Sequence, residues 1–575
     1  MWLSALAAVT EASASAPTSP PADAEARAKA AHALNRLGYG PRPGEVERVA
    51  AQGVESWIHA QLRPRKIADP VAEAEVAKLE KIQLPPSALV AAYQEEIRRR
   101  QEKQKAAGAG EKAPTGPDAM AGEQARLLVA QAVGELQHAR FVRAVFSERQ
   151  LEQVLVDFWF NHFNVDARKQ QVRATVVAYE QDVIRPRVFG EFRDLLGATA
   201  RSPAMLVYLD NVRSSKEQEI GPREKERQRQ ALREKMGMSE EAAAVMTPGR
   251  RGLNENYGRE LLELHTLGVD GGYEQRDVQE VARAFTGWTL DPRTGEFVFR
   301  AAWHDTGPKT VLGKSLPSGG GVKDGERVLD LVAAHPATAQ RIAYKLCQRF
   351  VADQPPAGLV QRVAAVFTES QGDLRQTYEA LFLDPEFFAP EFRGAKTKAP
   401  FEYAASALRA SGAKFVTVTL PRERAPVRAL EAGYVLGAGG NRGANLPRKT
   451  MLMHTADMGQ PLYAWGPPTG FSEDSSHWVS AGALVSRLNF ALALTGGQVA
   501  DARVDIAPLL ASADADQPEA VVSALANSVL GHAPSEGTLK VLCAQIATRA
   551  EGAPATVDSR KLLALLLGSP EFQRR

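Results

Sequence analysis

The stretch Asn254-Glu-Asn-Tyr-Gly-Arg-Glu-Leu-Leu-Glu-Leu-His-Thr-Leu-Gly268 sets polar side chains with chemical potential beside an apolar helical stripe. At ~100° per residue, Tyr257, Leu261, Leu264 and Gly268 share one face. Asn256, Glu260 and Glu263 form the neighbouring polar stripe. Two carboxylates at the edge of a core suit acid-base catalysis, because burial raises a carboxyl pKa toward the neutral range, or they suit metal ligation. Glu260 and Glu263 are therefore candidate catalytic residues, and Asn256 is a candidate substrate contact.

A second segment, Leu151 to Val165, places Leu151, Val154, Leu155, Phe158, His162 and Val165 on one face. His162 thus lies in an apolar stripe, where its ring nitrogens need partners, and it is the third catalytic candidate. A third, Trp303-His-Asp-Thr-Gly-Pro-Lys309, adds His304 and Asp305. If these segments meet, His162, Glu260, His304 and Asp305 offer a cysteine-free ligand set that zinc, manganese or iron accepts. No spacing matches a known metal signature such as His-Glu-x-x-His. The same cluster can be read as an acid-base pair of Glu260 and His162, and a metal-free structural network is the leading alternative.

Substrate contacts are expected from two further places. Lys309, followed by Gly313-Lys314, supplies cationic charge on a turn, without the spacing of a phosphate-binding loop. The segment Gln460 to Trp478 is too rich in Pro and Gly for a helix, yet carries Tyr463, Trp465, Phe471 and Trp478. Trp465 and Trp478 on such a loop are candidates to line a groove. Gly437-Ala-Gly-Gly-Asn-Arg-Gly443 lacks the flanking strand and helix of a dinucleotide site, and no Gly-x-Ser-x-Gly elbow supports a serine nucleophile.

Most of the chain shows a 3.6-residue hydrophobic period, which predicts a mainly α-helical, bundle-like array. The exception is Thr289 to Gly325, read as a short β-ribbon or long ordered loop with Phe297-Val-Phe299 as a strand. The expected organisation is a leader or tail over 1–25, a main helical domain over 26–500 and a C-terminal helical subdomain over 501–575. Charged insertions near 94–122 and 214–252 read as solvated helices or flexible segments, from their mixed charges at i, i+4 spacing. Phe192 to Met205, Leu374 to Phe387 and Ser559 to Phe572 share one form, a helix stopped by Ser or Asp before Pro. Duplicated helical units and chance recurrence of a common stop signal both give that form.

The 70 basic and 68 acidic residues leave a formal net charge of +2, which argues against a dedicated nucleic-acid surface. Two cysteines, Cys347 and Cys543, supply neither a disulfide framework nor a cysteine zinc site. The apolar run Met1 to Val9, followed by Ala12-Ser-Ala14, resembles a secretory signal that lacks its basic n-region. No later segment has the apolar length to span a bilayer as a helix.

Several segments, taken in order, resemble the bacterial family catalogued as domain of unknown function 1800. They are Ala33-Leu-Asn-Arg-Leu-Gly-Tyr-Gly-Pro-Arg-Pro-Gly-Glu45, Phe158-Trp-Phe-Asn-His-Phe163, Asn254 to Leu264, Phe285-Thr-Gly-Trp288 and His304 to Lys309. The pattern resumes at Arg349-Phe-Val351, Asp384-Pro-Glu-Phe-Phe388, Met458-Gly-Gln-Pro-Leu462 and Leu566 to Arg575. The resemblance implies a mostly helical, exported protein, periplasmic or extracellular, with a sulfatase-like exported protein as partner. Family members often carry His or Trp near the position of Phe160, so this chain departs there. The two functional expectations are a hydrolase acting on an envelope or extracellular polymer, with a divalent metal or an acid-base pair, and a non-catalytic scaffold or chaperone for the sulfatase-like partner.

Overall fold

The computed structural model describes residues 22–575 apart from 109–116, 170, most of 220–249, 292, 416–447, 512–517, 532–533 and 548–557. The chain is mainly α-helical, as its periodicity predicts. Twelve helices carry the argument: α1 (Ala22–Arg36), α2 (Pro86–Gly108), α3 (Pro117–Phe146), α4 (Gln150–His162), α5 (Phe192–Arg201) and α6 (Asn256–Glu260). They continue with α7 (Pro336–Phe350), α8 (Leu374–Phe382), α9 (Pro400–Ala410), α10 (Ala481–Thr495), α11 (Pro518–Leu530) and α12 (Ser559–Leu567). One hydrophobic cluster runs continuously from Ala30 on α1 to Phe572 after α12.

Helix α4 is central. Leu151, Val154, Leu155, Phe158 and Trp159 are all buried, so neighbours cover it on nearly every side. A helix apolar on one stripe needs one partner, and a helix buried all round must sit at the middle of the body. The expected ribbon over 289–325 is present as two hairpins. Trp288–Leu290 (β1) pairs with Phe297–Phe299 (β2), and Lys309–Val311 (β3) with Lys314–Leu316 (β4). The charged stretch from Gln94 belongs to α2, which packs against α3, and Glu95, Arg98, Arg99 and Glu102 pair along its surface. In the second charged stretch, Gln218–Glu219 pairs with Arg250–Arg251, and most of the intervening sequence lies outside the described residues.

The three similar segments take the expected form. α5, α8 and α12 each end before a Ser or Asp, and Pro203, Pro385 and Pro570 begin the next helical turn. Two of them meet start to start. Phe192 N–H donates to the Gly372 carbonyl at 2.8 Å, and Leu374 N–H donates to the Gly190 carbonyl at 3.0 Å. The two segments thus meet at the antiparallel Glu191–Asp373 bridge, whose paired hydrogen bonds any two chains in that arrangement would make.

Candidate functional site

Asn254 and Gly268 act as their types predict. Asn254 Oδ1 accepts from Asn256 N–H at 2.9 Å at the helix start, and Gly268 has a φ of +90°. Between them the helix widens into a π-turn over Leu261–His265. The wider turn moves the core face on by one residue, so His265 is buried where a regular helix would bury Leu264. The two carboxylates beside it differ in exposure to the cleft. Glu260 lines an open cleft, while Glu263 is outside that lining and acts electrostatically on Arg341 and Tyr273.

The cleft encloses about 520 Å³ and is lined by Asn256, Glu260, Asp166, Arg168, Lys169 and Tyr208, with Gly466 and Pro468 as its lip. Burial, reinforced by the charge of Glu263, raises the Glu260 carboxyl above its ordinary value. Asp166 accepts from Arg168 through both oxygens, at 2.9 and 2.8 Å. Lys169 pairs with Asp210 at 2.8 Å and also donates to the Tyr208 carbonyl. Tyr208 donates its hydroxyl to the Gly466 carbonyl at 2.6 Å. Burial and the charges of Asp166 and Glu260 hold that phenol well above its ordinary pKa, so it stays a neutral donor between two carboxyls.

The aromatic loop forms the lip because α4 and its C-terminal extension clamp it. Asn161 Nδ2 donates to the Phe471 carbonyl at 2.9 Å, and Phe471 N–H returns a bond to Asn161 Oδ1 at 2.7 Å. Asn164 Nδ2 donates to the carbonyls of Trp465 and Pro467 at 3.0 and 2.8 Å. Gly470 has a φ of +71° and lies against Asn161, where an added Cβ would fall inside contact distance of the Asn161 carbonyl. Tyr463 also lies in the left-handed region, with a φ of 60° that a bulky residue rarely adopts. Its hydroxyl is tied to Glu180 and its carbonyl accepts from Ala167 N–H at 2.8 Å, so both ends of the residue are held.

His162 is a buried structural residue. Its Nε2 donates to the His265 carbonyl at 3.1 Å and its Nδ1 accepts from Lys345 Nζ at 3.2 Å. Burial, then the charge of Lys345, drives the ring far below its ordinary pKa, and it is neutral. Lys345 itself is pushed down to about 8 by burial and Arg341. The residue therefore joins α4, α7 and the π-turn, and it makes no bond to Glu260.

His304 and Asp305, adjacent in sequence, serve different partners. His304 Nδ1 bonds the Thr286 carbonyl at 2.9 Å and Nε2 bonds Asp324 Oδ2 at 3.2 Å. Asp305 takes Arg283 in a fork at 2.9 and 3.0 Å, and although burial pushes its carboxyl up, these bonds hold it below the usual range. Lys309 is buried, with its three donors on the Asp305 and Gly307 carbonyls and Asp324 at 2.6, 3.0 and 2.9 Å. No donor remains for a substrate, which corrects the expected binding role. Among the described residues no group of three or more His, Cys, Asp or Glu side chains is arranged to hold a metal, so the four-residue ligand set does not assemble.

Of the two tryptophans, Trp478 is buried with Nε1 on the Ser472 carbonyl at 3.1 Å, which makes it part of the loop's own core. Trp465 is half-buried against Phe471, ring centres 4.5 Å apart. Behind the loop lies an ionic network that sequence reasoning missed. Arg349 bridges Asp157, Glu402 and Glu473 at 3.3, 2.7 and 3.3 Å, and Arg140 pairs with Asp157. Burial pushes Glu402 up, but Arg349 and Arg575 outweigh it and hold the carboxyl down to about 2. The network surrounds a cavity of about 30 Å³, room for ~1–2 waters, so it secures the loop rather than admitting a substrate. The one sequence signal for it is the spacing of Asp157, Asn161 and Asn164 at i, i+4, i+7, a polar stripe that runs along the flank of α4 and past its C-terminal end.

No curated protein and no solved structure matches the chain significantly. A family model described as "Protein of unknown function (DUF1800)" matches residues 32–574, which spans the helices, the loop and the cleft, and the chain belongs to that family.

Proposed function

We propose that the protein is a hydrolase acting on a hydroxyl-rich envelope or extracellular polymer at the Glu260 cleft, with Glu260 as general acid and Asp166 as the partner carboxylate. The observation that carries this reading is the contrast between them. Glu260 is raised by burial and by Glu263 without a cationic partner in hydrogen-bond contact, and Asp166 is ion-paired with Arg168. A carboxyl raised by burial beside one held in an ion pair supplies the acid and its partner carboxylate for hydrolysis. Arg168 and Lys169 are each already paired with a carboxylate, so the cleft recognises substrate through hydrogen bonds to hydroxyls rather than through net charge. Asn256, exposed at the cleft wall, supplies such a donor and acceptor pair.

The test is release of reducing ends from purified peptidoglycan sacculi and envelope polysaccharides. The wild type should release them, and Glu260→Gln should lower the rate by about 10²–10⁴-fold with an unchanged thermal midpoint. Activity that survives in Glu260→Gln, or no release from any polymer by the wild type, sinks the proposal.

A second reading, a scaffold for a sulfatase-like exported partner, draws support from an exposed apolar stripe of Leu484, Val485, Leu488 and Leu492 on α10. Under it, Val485→Glu with Leu488→Glu abolishes partner binding while Glu260→Gln leaves it intact. Both readings set the protein in the periplasm or outside the cell, and the apolar run Met1 to Val9 supports export. Among the described residues no helix is long and apolar enough to cross a membrane.

A further inference from the structure

A second region, lined by α1 and the C-terminal segments, holds buried cationic side chains. Arg36, on the last turn of α1, is fully buried, and its only hydrogen bond is from Nη2 to the Phe392 carbonyl at 2.6 Å. Its Nε and Nη1 have no acceptor, and no carboxylate pairs with it. One turn earlier, buried His32 also has an unpartnered Nε2. Arg393 Nε and Arg575 Nη1 complete a set of donors from three separate segments, all without acceptors. Burial and mutual repulsion lower both Arg36 and His32, with Arg575 acting on each of them. Glu402 and Asp353 act on Arg36 in the opposite sense but do not reach ion-pair distance, so an anion in this region would offset the remaining repulsion.

Of these residues His32, Arg393 and Arg575, but not Arg36, line a groove of about 820 Å³ between α1 and the C-terminal helices, within the ~300–1,000 Å³ typical of small-molecule sites. Lys398 stands in its wall. The residue is 4 % exposed, its Nζ donates only to Ser406 Oγ at 2.8 Å, and it sits 4.0 Å from the Phe572 ring centre. With one hydrogen-bond acceptor Nζ keeps spare hydrogen-bonding capacity, and burial lowers its pKa to about 7. The rest of the groove is largely apolar, with Ala28 and Ala31 on one wall and Val529, Leu530 and Phe572 on the other. Acidic groups are present too. Glu25 pairs with Arg393 and Glu402 with Arg575, while Asp23 and Glu571 line the groove. Glu571 Oε2 is itself unpartnered and would accept from a ligand hydroxyl.

We infer that this groove binds an amphiphilic organic acid, its carboxylate or phosphate head against Lys398, His32 and Arg575 and its apolar body along Ala28, Ala31, Val529 and Leu530. The site shares no residue with the Glu260 cleft, so it stands or falls independently of the hydrolase reading. Lys398, lowered to about 7 by burial, gains a proton more readily when an anionic head lies against it, and the apolar walls select the body.

Titration calorimetry of the full chain with decanoate, decyl phosphate, decanol and inorganic phosphate tests this. At least one of the two anionic amphiphiles should bind at least 10-fold tighter than decanol and than inorganic phosphate, and which of the two binds tighter identifies the head group. Lys398→Met should weaken that binding at least 10-fold. Because Lys398→Met removes a buried partner of Ser406 and can perturb folding, Ala28→Trp, which fills the groove from its half-buried wall, should abolish binding with an unchanged thermal midpoint. The inference is overturned if decanol binds as tightly as both acids, if inorganic phosphate matches decyl phosphate, or if Ala28→Trp leaves affinity intact.

Discussion

Acidification to about pH 5 should destabilise this protein through buried neutral histidines, and His265 is the position at which to show it. His265 is pushed down to about 3 by burial and the charges of Lys345 and Arg341, from an ordinary value of 6.5. His32 is likewise lowered to about 3, and His162 falls well below its ordinary value. Because the folded rings bind protons more weakly than the unfolded ones, the stability they contribute is full above about pH 6.5 and is lost as the pH falls toward 3. At pH 5 the unfolded ring is protonated and the folded ring is not, so each residue loses about 2 kcal/mol, at ~1.4 kcal/mol per pH unit below 6.5. The figure barely depends on how far below 5 the folded value lies. Three such rings together lose about 6 kcal/mol, comparable with the whole stability of many proteins. Asp501 works in the other direction. Burial raises it to about 6, so it returns about 1.4 kcal/mol over the same interval. Urea unfolding followed by tryptophan fluorescence at pH 7.5 and pH 5, on wild type and His265→Phe, gives the assay. His265 packs 5.1 Å from the Phe163 ring centre, so a phenyl ring suits the site. The wild type should lose several kcal/mol and the variant about 2 kcal/mol less. Equal losses, or a wild type as stable at pH 5 as at pH 7.5, would refute the reasoning.

Three further outcomes test the way the cleft is supported. Asn161→Ala removes two hydrogen bonds from the aromatic loop, so it should destabilise by about 2 kcal/mol and raise amide exchange across 463–478. Gly470→Ala should cost about 2 kcal/mol, read from the thermal midpoint, because the position combines a positive φ with direct contact to Asn161. Asp324→Ala strips the shared partner from His304 and Lys309 and should destabilise by about 3–5 kcal/mol in urea unfolding. A loss under about 1 kcal/mol there would mean that the buried lysine is satisfied by its two carbonyls alone.

Where sequence reasoning succeeded, the physics was local. Asn254 and Gly268 mark their helix because a side-chain acceptor and a missing Cβ act within a few residues, and Phe297-Val-Phe299 is a strand next to its own turn. The π-turn at Leu261–His265 was not legible, since nothing in its composition distinguishes it from a regular helix, and that one insertion moved the buried position from Leu264 to His265. Long-range partners were equally invisible. His162 reads correctly as an apolar-face histidine, but its lysine is 183 residues away. Neighbours in sequence also misled, because His304 and Asp305 leave an extended backbone in different directions, one to Asp324 and the other to Arg283. Asp166 and Tyr208 line the cleft from loops and helix ends that carry no periodic signal.

Hydrolysis at this cleft requires Glu260 to be held as a protonatable acid. Carboxyl-labelled ¹³C NMR titration, with Glu260→Gln to assign the resonance, measures this without a substrate. Glu260 should titrate above the ordinary 4.5 and shift back toward it in Glu263→Gln. A Glu260 that titrates at or below 4.5 in the wild type would contradict the central claim.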